Sequence, residues 1–205
     1  MTAGKREVIV RAATELFLQQ GYQATSTEQI AAAAAVSKQT VYSRFGDKES
    51  LFREIVLGVA ATAEAFAADL TASLADVSEA RDVARVLRAL ARRYLAAVMD
   101  PQVLALRRLV IGEAARFPEV AATYYERSPA MVLAALADGF ARLADLGLIT
   151  VDDPRRAADD FAFLVLGRPL DHGLFHVPAA APTDAEIAAT AEHAVDVFLG
   201  CASRM

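Results

Sequence analysis

Four residues within one short stretch, Lys38, Gln39, Tyr42 and Ser43, offer an ammonium, a carboxamide, a phenol and a hydroxyl. If the stretch is helical, at about 100° per residue these four gather on one arc while Val41 and Phe45 point away from it. Such an arc suits nucleic acid. A carboxamide at Gln39 can pair with an adenine edge in bidentate fashion, and Lys38 can reach guanine or a phosphate. Tyr42 and Ser43 can donate to phosphate oxygens. Thr27 and Lys48 extend the set, because each would sit early in a helix, where free backbone amides also favour an anion.

Short helices must hold these groups. A first helix spans roughly 4–20, with Ile9, Ala13, Leu16, Phe17 and Gln20 at helical spacing, and Gly21 ends it. Thr25 with Glu28 fits a capping box for a second helix, about 26–34, with Ile30, Ala31 and Ala34 inward. Ser37 can cap a third helix, about 38–45, and Asp47 a fourth that runs to about residue 73. The second and third helices meet at Ala35-Val36-Ser37. Ala31 is small enough for close approach, and Val36 and Val41 can fill the junction. This is the build of a helix-turn-helix, whose second helix enters the major groove. Spacing alone fits a plain helical hairpin with a polar surface equally well.

Helix signals continue over 79–98, 102–115, 118–127, 130–146, 154–167 and 184–200, and no strand is expected. Asp153-Pro154 and Thr183 with Glu186 mark the last two starts. Gly167, Pro169, Gly173 and Pro178 predict a kink or loop between them. The chain is 55% hydrophobic and 23% charged, a core-forming composition, and its many alanines favour an all-α fold. The N-terminus has no signal-peptide run, the alanine-rich segments are interrupted by charges, and the single cysteine excludes an internal disulfide. A cytoplasmic protein without membrane contact is expected. Cys201 is expected to be inert.

The net charge is −5, but residues 1–52 carry six basic and five acidic side chains while the remainder is acidic. Any recognition of DNA must therefore come from a few placed residues rather than bulk charge. No phosphate loop, nucleophile elbow or acid–base pair occurs, so neither a catalytic residue nor a cofactor is expected. His172 and His176 are four apart. Gly173 and the nearby prolines work against a helix there, and no further ligands complete a metal site, so no metal is expected.

The segment from about Ile9 to Phe52 resembles the N-terminal domain of the TetR family of transcriptional regulators. The resemblance lies in I-V-R-A-A-T-E-L-F, G-Y-Q-A-T-S-T-E-Q-I-A and V-S-K-Q-T-V-Y-S-R-F-G-D-K-E-S-L-F, in that order and spacing. It implies that Lys38 to Ser43 read an operator and that Thr27, Thr40, Tyr42 and Lys48 touch the DNA backbone. The family usually has glycine where Ala35 stands. If that turn needs a positive φ, alanine there costs on the order of 1 kcal/mol. The stretch Arg107 to Arg127 is similar to a C-terminal subtype found in these regulators.

The expected architecture is an N-terminal three-helix helix-turn-helix domain over 1–52 and a larger helical bundle over 53–205, with nine or ten helices in all. The resemblance implies a double-stranded operator, a homodimer and an unidentified small-molecule effector. The dimer face would use Phe161, Leu164, Val165, Ile187, Val195, Phe198 and Leu199 of the last two helices. A pocket would draw on Phe66, Leu90, Tyr94, Leu106, Val110, Phe117, Tyr124, Phe140 and Phe163, and so few polar groups favour an apolar or aromatic effector. Arg107 and Arg108 are candidates to clamp a carboxylate or to form surface ion pairs. The rival reading is a helical small-molecule-binding or interaction module without DNA binding.

Overall fold

The structure, a computed structural model, describes residues 4–176 and 181–202, apart from the side chains of 59–61, 201 and 202. The Cys201 side chain therefore lies outside the described residues. Among the described residues there are ten α-helices and no strand: α1 (Lys5–Ala24), α2 (Thr27–Ala33), α3 (Lys38–Phe45), α4 (Lys48–Ala75), α5 (Ala80–Val98), α6 (Pro101–Gly112), α7 (Pro118–Arg127), α8 (Pro129–Asp145), α9 (Pro154–Phe175) and α10 (Asp184–Ala202).

Packing divides the chain into two units, residues 1–61 with 105–125 and residues 62–104 with 126–205. The first unit is thus larger than the expected 1–52 segment. The start of α4, most of α6 and nearly all of α7 build its core along with the three N-terminal helices. Ile9, Phe17, Ile30, Val41, Leu51, Phe52 and Val56 are buried there. Phe17, Tyr22, Phe52 and Phe117 form an aromatic cluster, with Phe52 centred 5.0 Å from Tyr22 and 5.3 Å from Phe117. Such edge-on and tilted contacts add to the apolar area that each ring removes from water.

The second unit buries Leu70, Leu74, Leu87, Leu90, Leu136, Phe140, Phe161, Val165 and Val195. Arg142 donates to the carbonyls of Leu74 and Val77, each at 3.1 Å, placing a cation where α4 ends. By length and composition α4 could cross a membrane. Part of its apolar surface is buried: Leu51, Phe52, Ile55 and Val56 enter the first core, and Ala67, Leu70 and Leu74 the second.

The sequence reading of α9 is corrected. The helix does not stop near Gly167 but continues through Pro169 to Phe175. A proline inside a helix removes one ladder hydrogen bond and bends the chain, a cost that packing can offset. Leu170 and Leu174 pack on the core beyond Pro169. Gly173 is buried so closely that a Cβ there would lie 2.9 Å from Leu104 Cδ1 and 3.1 Å from Met99 Cε. The start signals of α9 and α10 are as expected. Asp153 accepts from the amides of Arg155 and Arg156, and Thr183 and Glu186 form a reciprocal box.

Candidate nucleic-acid interface

The helix-turn-helix is assembled from local rules. Gly21 adopts φ +83°, which stops the first run of α1. The capping box of α2 lies one residue later than Thr25 with Glu28. Ser26 accepts from the Gln29 amide at 3.2 Å, and Gln29 Oε1 accepts from the Ser26 amide at 2.7 Å. Thr25 is instead buried, its hydroxyl donating to the Gly21 carbonyl at 2.8 Å.

The turn after α2 is a Schellman motif. The Val36 amide donates to the Ala31 carbonyl at 3.0 Å and the Ala35 amide to the Ala32 carbonyl at 3.1 Å. Closing both bonds puts Ala35 at φ +51°, the left-handed region anticipated for this position. Ser37 then caps α3 by accepting from the Thr40 amide at 3.1 Å.

Along α3, Val41 and Phe45 are 1% and 8% exposed and face the core. Lys38, Gln39, Tyr42 and Ser43 are exposed on the other side. This is the division that helical spacing predicts. The remaining backbone-contact candidates are less free. Thr40 is half-buried, with its hydroxyl 2.8 Å from that of Ser37. Thr27 is 9% exposed and donates to Glu28 Oε2 at 3.1 Å, and its hydroxyl lies 3.4 Å from the Tyr42 hydroxyl.

Lys48 differs most from expectation. Its ammonium donates to the carbonyls of Tyr22 (2.9 Å) and Thr25 (2.8 Å) and lies 4.2 Å from the Tyr22 ring centroid. Burial, with Arg116 nearby, pushes the Lys48 ammonium below the usual lysine range. Lys48 therefore ties α4 to the loop that begins α2. It still borders a shallow cleft of about 380 Å³ shared with Ser26, Thr27 and Tyr42.

Sequence reasoning missed Glu28. Its carboxylate pairs with Lys38 across the two helices. The ten-residue separation matches no local rule, so only the fold reveals the pair.

The nine pocket candidates do not line one described cavity. Leu106, Val110, Phe117 and Tyr124 belong to the first core, while Leu90, Tyr94 and Phe140 belong to the second. Phe66 packs against that second core and stacks on Tyr94 at 5.6 Å. Phe163 is 79% exposed and edges a cleft of about 830 Å³ with Val151, Arg156, Leu164 and Val197. Arg107 and Arg108 are half-buried.

The proposed dimer face is also corrected. Phe161, Val165, Val195 and Phe198 are core residues of their own subunit, and only Leu164, Ile187 and Leu199 retain partial exposure. His172 and His176 do come together on the extended α9, their rings stacked at 3.8 Å. Among the described residues, no three potential ligands cluster as a metal site.

Comparison with known proteins bears on the whole chain. Residues 9–55 match the family model described as bacterial regulatory proteins, tetR family. Residues 85–201, more than half of the chain, match the C-terminal domain of the AefR-like transcriptional repressors. A TetR-family regulator of Mesorhizobium loti MAFF303099 is 36% identical, with a TM-score of 0.86 over 96% of both chains. The Flavonoid-responsive Regulator FrrA is 32% identical, with a TM-score of 0.69 over 98% of both. TcmR of Streptomyces glaucescens is 32% identical over 126 residues, which are 62% of this chain and 54% of TcmR. The chain thus matches about half the length of that relative, and less of the other curated ones. Helix-turn-helix geometry, full-length similarity and both domain matches agree: the chain belongs to the TetR family of transcriptional regulators.

Proposed function

We propose that this regulator is a ligand-responsive repressor that binds a palindromic operator as a homodimer in the cytoplasm. The observation that carries the reading is α3, anchored from behind by Val41 and Phe45 and presenting Lys38, Gln39, Tyr42 and Ser43 outward. In a two-fold dimer, two such helices would enter successive major grooves about 34–36 Å apart.

Exposed apolar groups on α9 support dimerisation. Phe163 and Phe175 are 79% and 80% exposed, and Leu164 lies beside the first of them. These exposed groups, rather than the buried residues expected from the sequence, are the apolar surface that α9 offers to a second copy. Similarity to the AefR-like repressors favours repression, and similarity to a flavonoid-responsive regulator favours an aromatic effector. Phe66, Leu90, Tyr94 and Phe140 remain the apolar candidates in the second unit. Helix α4, which supplies residues to both cores, is the proposed lever. An effector would lower DNA affinity only by binding the non-binding state more tightly.

The test is a gel shift with the DNA next to the protein's own gene, at two salt concentrations. Binding that weakens as salt rises is expected. Failure to retard that DNA at either salt would favour a helical binding module without DNA function.

A further inference from the structure

We propose that Glu28 sets the affinity of the DNA-binding face by holding Lys38 in an ion pair that must open before Lys38 can contact DNA. The inference rests on the operator-binding reading of α3 and assigns one of its residues a regulatory role.

The geometry is a closed ring of side chains across α2 and α3. The Lys38 ammonium contacts Glu28 Oε1, and the other carboxylate oxygen accepts from Thr27 Oγ1 at 3.1 Å. The Thr27 hydroxyl lies 3.4 Å from that of Tyr42, and the Lys38 ammonium lies 5.6 Å from the Tyr42 ring centroid. Three of the seven candidate DNA contacts, Thr27, Lys38 and Tyr42, are therefore organised around one acidic residue.

That carboxylate is in water, with both members of the pair about half exposed. The Lys38 hydrogen bond brings the Glu28 carboxyl down to about 2, so it remains an anion throughout the neutral range. Its place in the first turn of α2 also favours negative charge. An exposed pair is weakly held and can exchange partners. A phosphate approaching Tyr42 would meet a locally neutral Lys38–Glu28 pair rather than a free cation. Binding then requires an exchange: Lys38 leaves Glu28 for a phosphate or a guanine edge, and the carboxylate returns to water.

The experiment is a double-mutant cycle in DNA binding, using a duplex selected from a random library by the wild-type protein. Wild type, Glu28→Gln, Lys38→Ala and the double variant are titrated over a range of salt, and thermal melting confirms that each is folded. Glu28→Gln is expected to bind about two- to fivefold tighter at low salt. Its log K against log salt should also be steeper, because salt screens the exposed pair that wild type must open and the advantage shrinks as salt rises. In the Lys38→Ala background the same substitution should change neither quantity.

An unchanged affinity and slope in Glu28→Gln would overturn the proposal while leaving operator binding intact. Weaker binding confined to one base position would also overturn it, because Glu28 would then be reading a cytosine. A gain that persists without Lys38 would reduce Glu28 to simple repulsion of DNA and overturn the exchange. If wild type selects no duplex at all, the operator reading fails and this inference with it.

Discussion

The two units use their side chains in opposite ways. In the first, a compact aromatic core supports a short helix whose outward face is polar and exposed. In the second, the last two helices bury Phe161, Val165, Val195 and Phe198 inside the subunit and leave Phe163 and Phe175 outside. On the proposed reading, recognition in the first unit comes from a few polar groups placed by backbone geometry. The second presents apolar surface, the material of association rather than of base reading. A chain with a net charge of −5 can therefore still carry a DNA-binding face, since placement outweighs the total.

Substitutions can break this contrast. Phe52→Ala, at the centre of the aromatic cluster, should cost about 3–5 kcal/mol of stability, measured by denaturant unfolding. A cost near zero would mean that the first core does not support α3. Gln39→Ala should leave stability unchanged and weaken operator binding by about 1–3 kcal/mol, with preference relaxed at one base position. Equal losses on every sequence would make Gln39 a backbone contact instead.

Lys48→Met removes two charge-assisted hydrogen bonds and should lower stability by about 1–2 kcal/mol in a melting experiment. An unchanged melting temperature with a flatter salt dependence would return Lys48 to the role of a phosphate contact. Ala35→Gly should raise stability by about 1 kcal/mol, because glycine accepts the left-handed turn without a Cβ penalty. A fall in melting temperature would show that the turn tolerates alanine for a reason other than its φ.

Much of the first unit was legible in the sequence because its determinants are local. Helical spacing placed Val41 and Phe45 behind Lys38, Gln39, Tyr42 and Ser43, and the resemblance drew attention to the turn at Ala35. What escaped was tertiary. Lys48 looked like a free cation because its carbonyl partners, Tyr22 and Thr25, lie far back in the chain. The pairing of Glu28 with Lys38 escaped for the same reason.

In the second unit the glycines and proline of α9 were read as breakers. Gly173 instead sits inside the helix where the tips of Leu104 and Met99 approach its backbone closely. Phe117 was read as a pocket candidate and Phe161 as part of a dimer face, whereas each is buried in a core. The pocket and dimer assignments were the least legible, because an apolar residue has the same appearance in a core, a pocket and an interface.

The central claim, that the polar face of α3 docks in the major groove, is tested most directly by methylation interference at guanine N7 on a selected duplex. Two patches of interference, centred about one helical turn apart and symmetric about a midpoint, are the predicted result. Tight binding that ignores major-groove methylation throughout the duplex would contradict it.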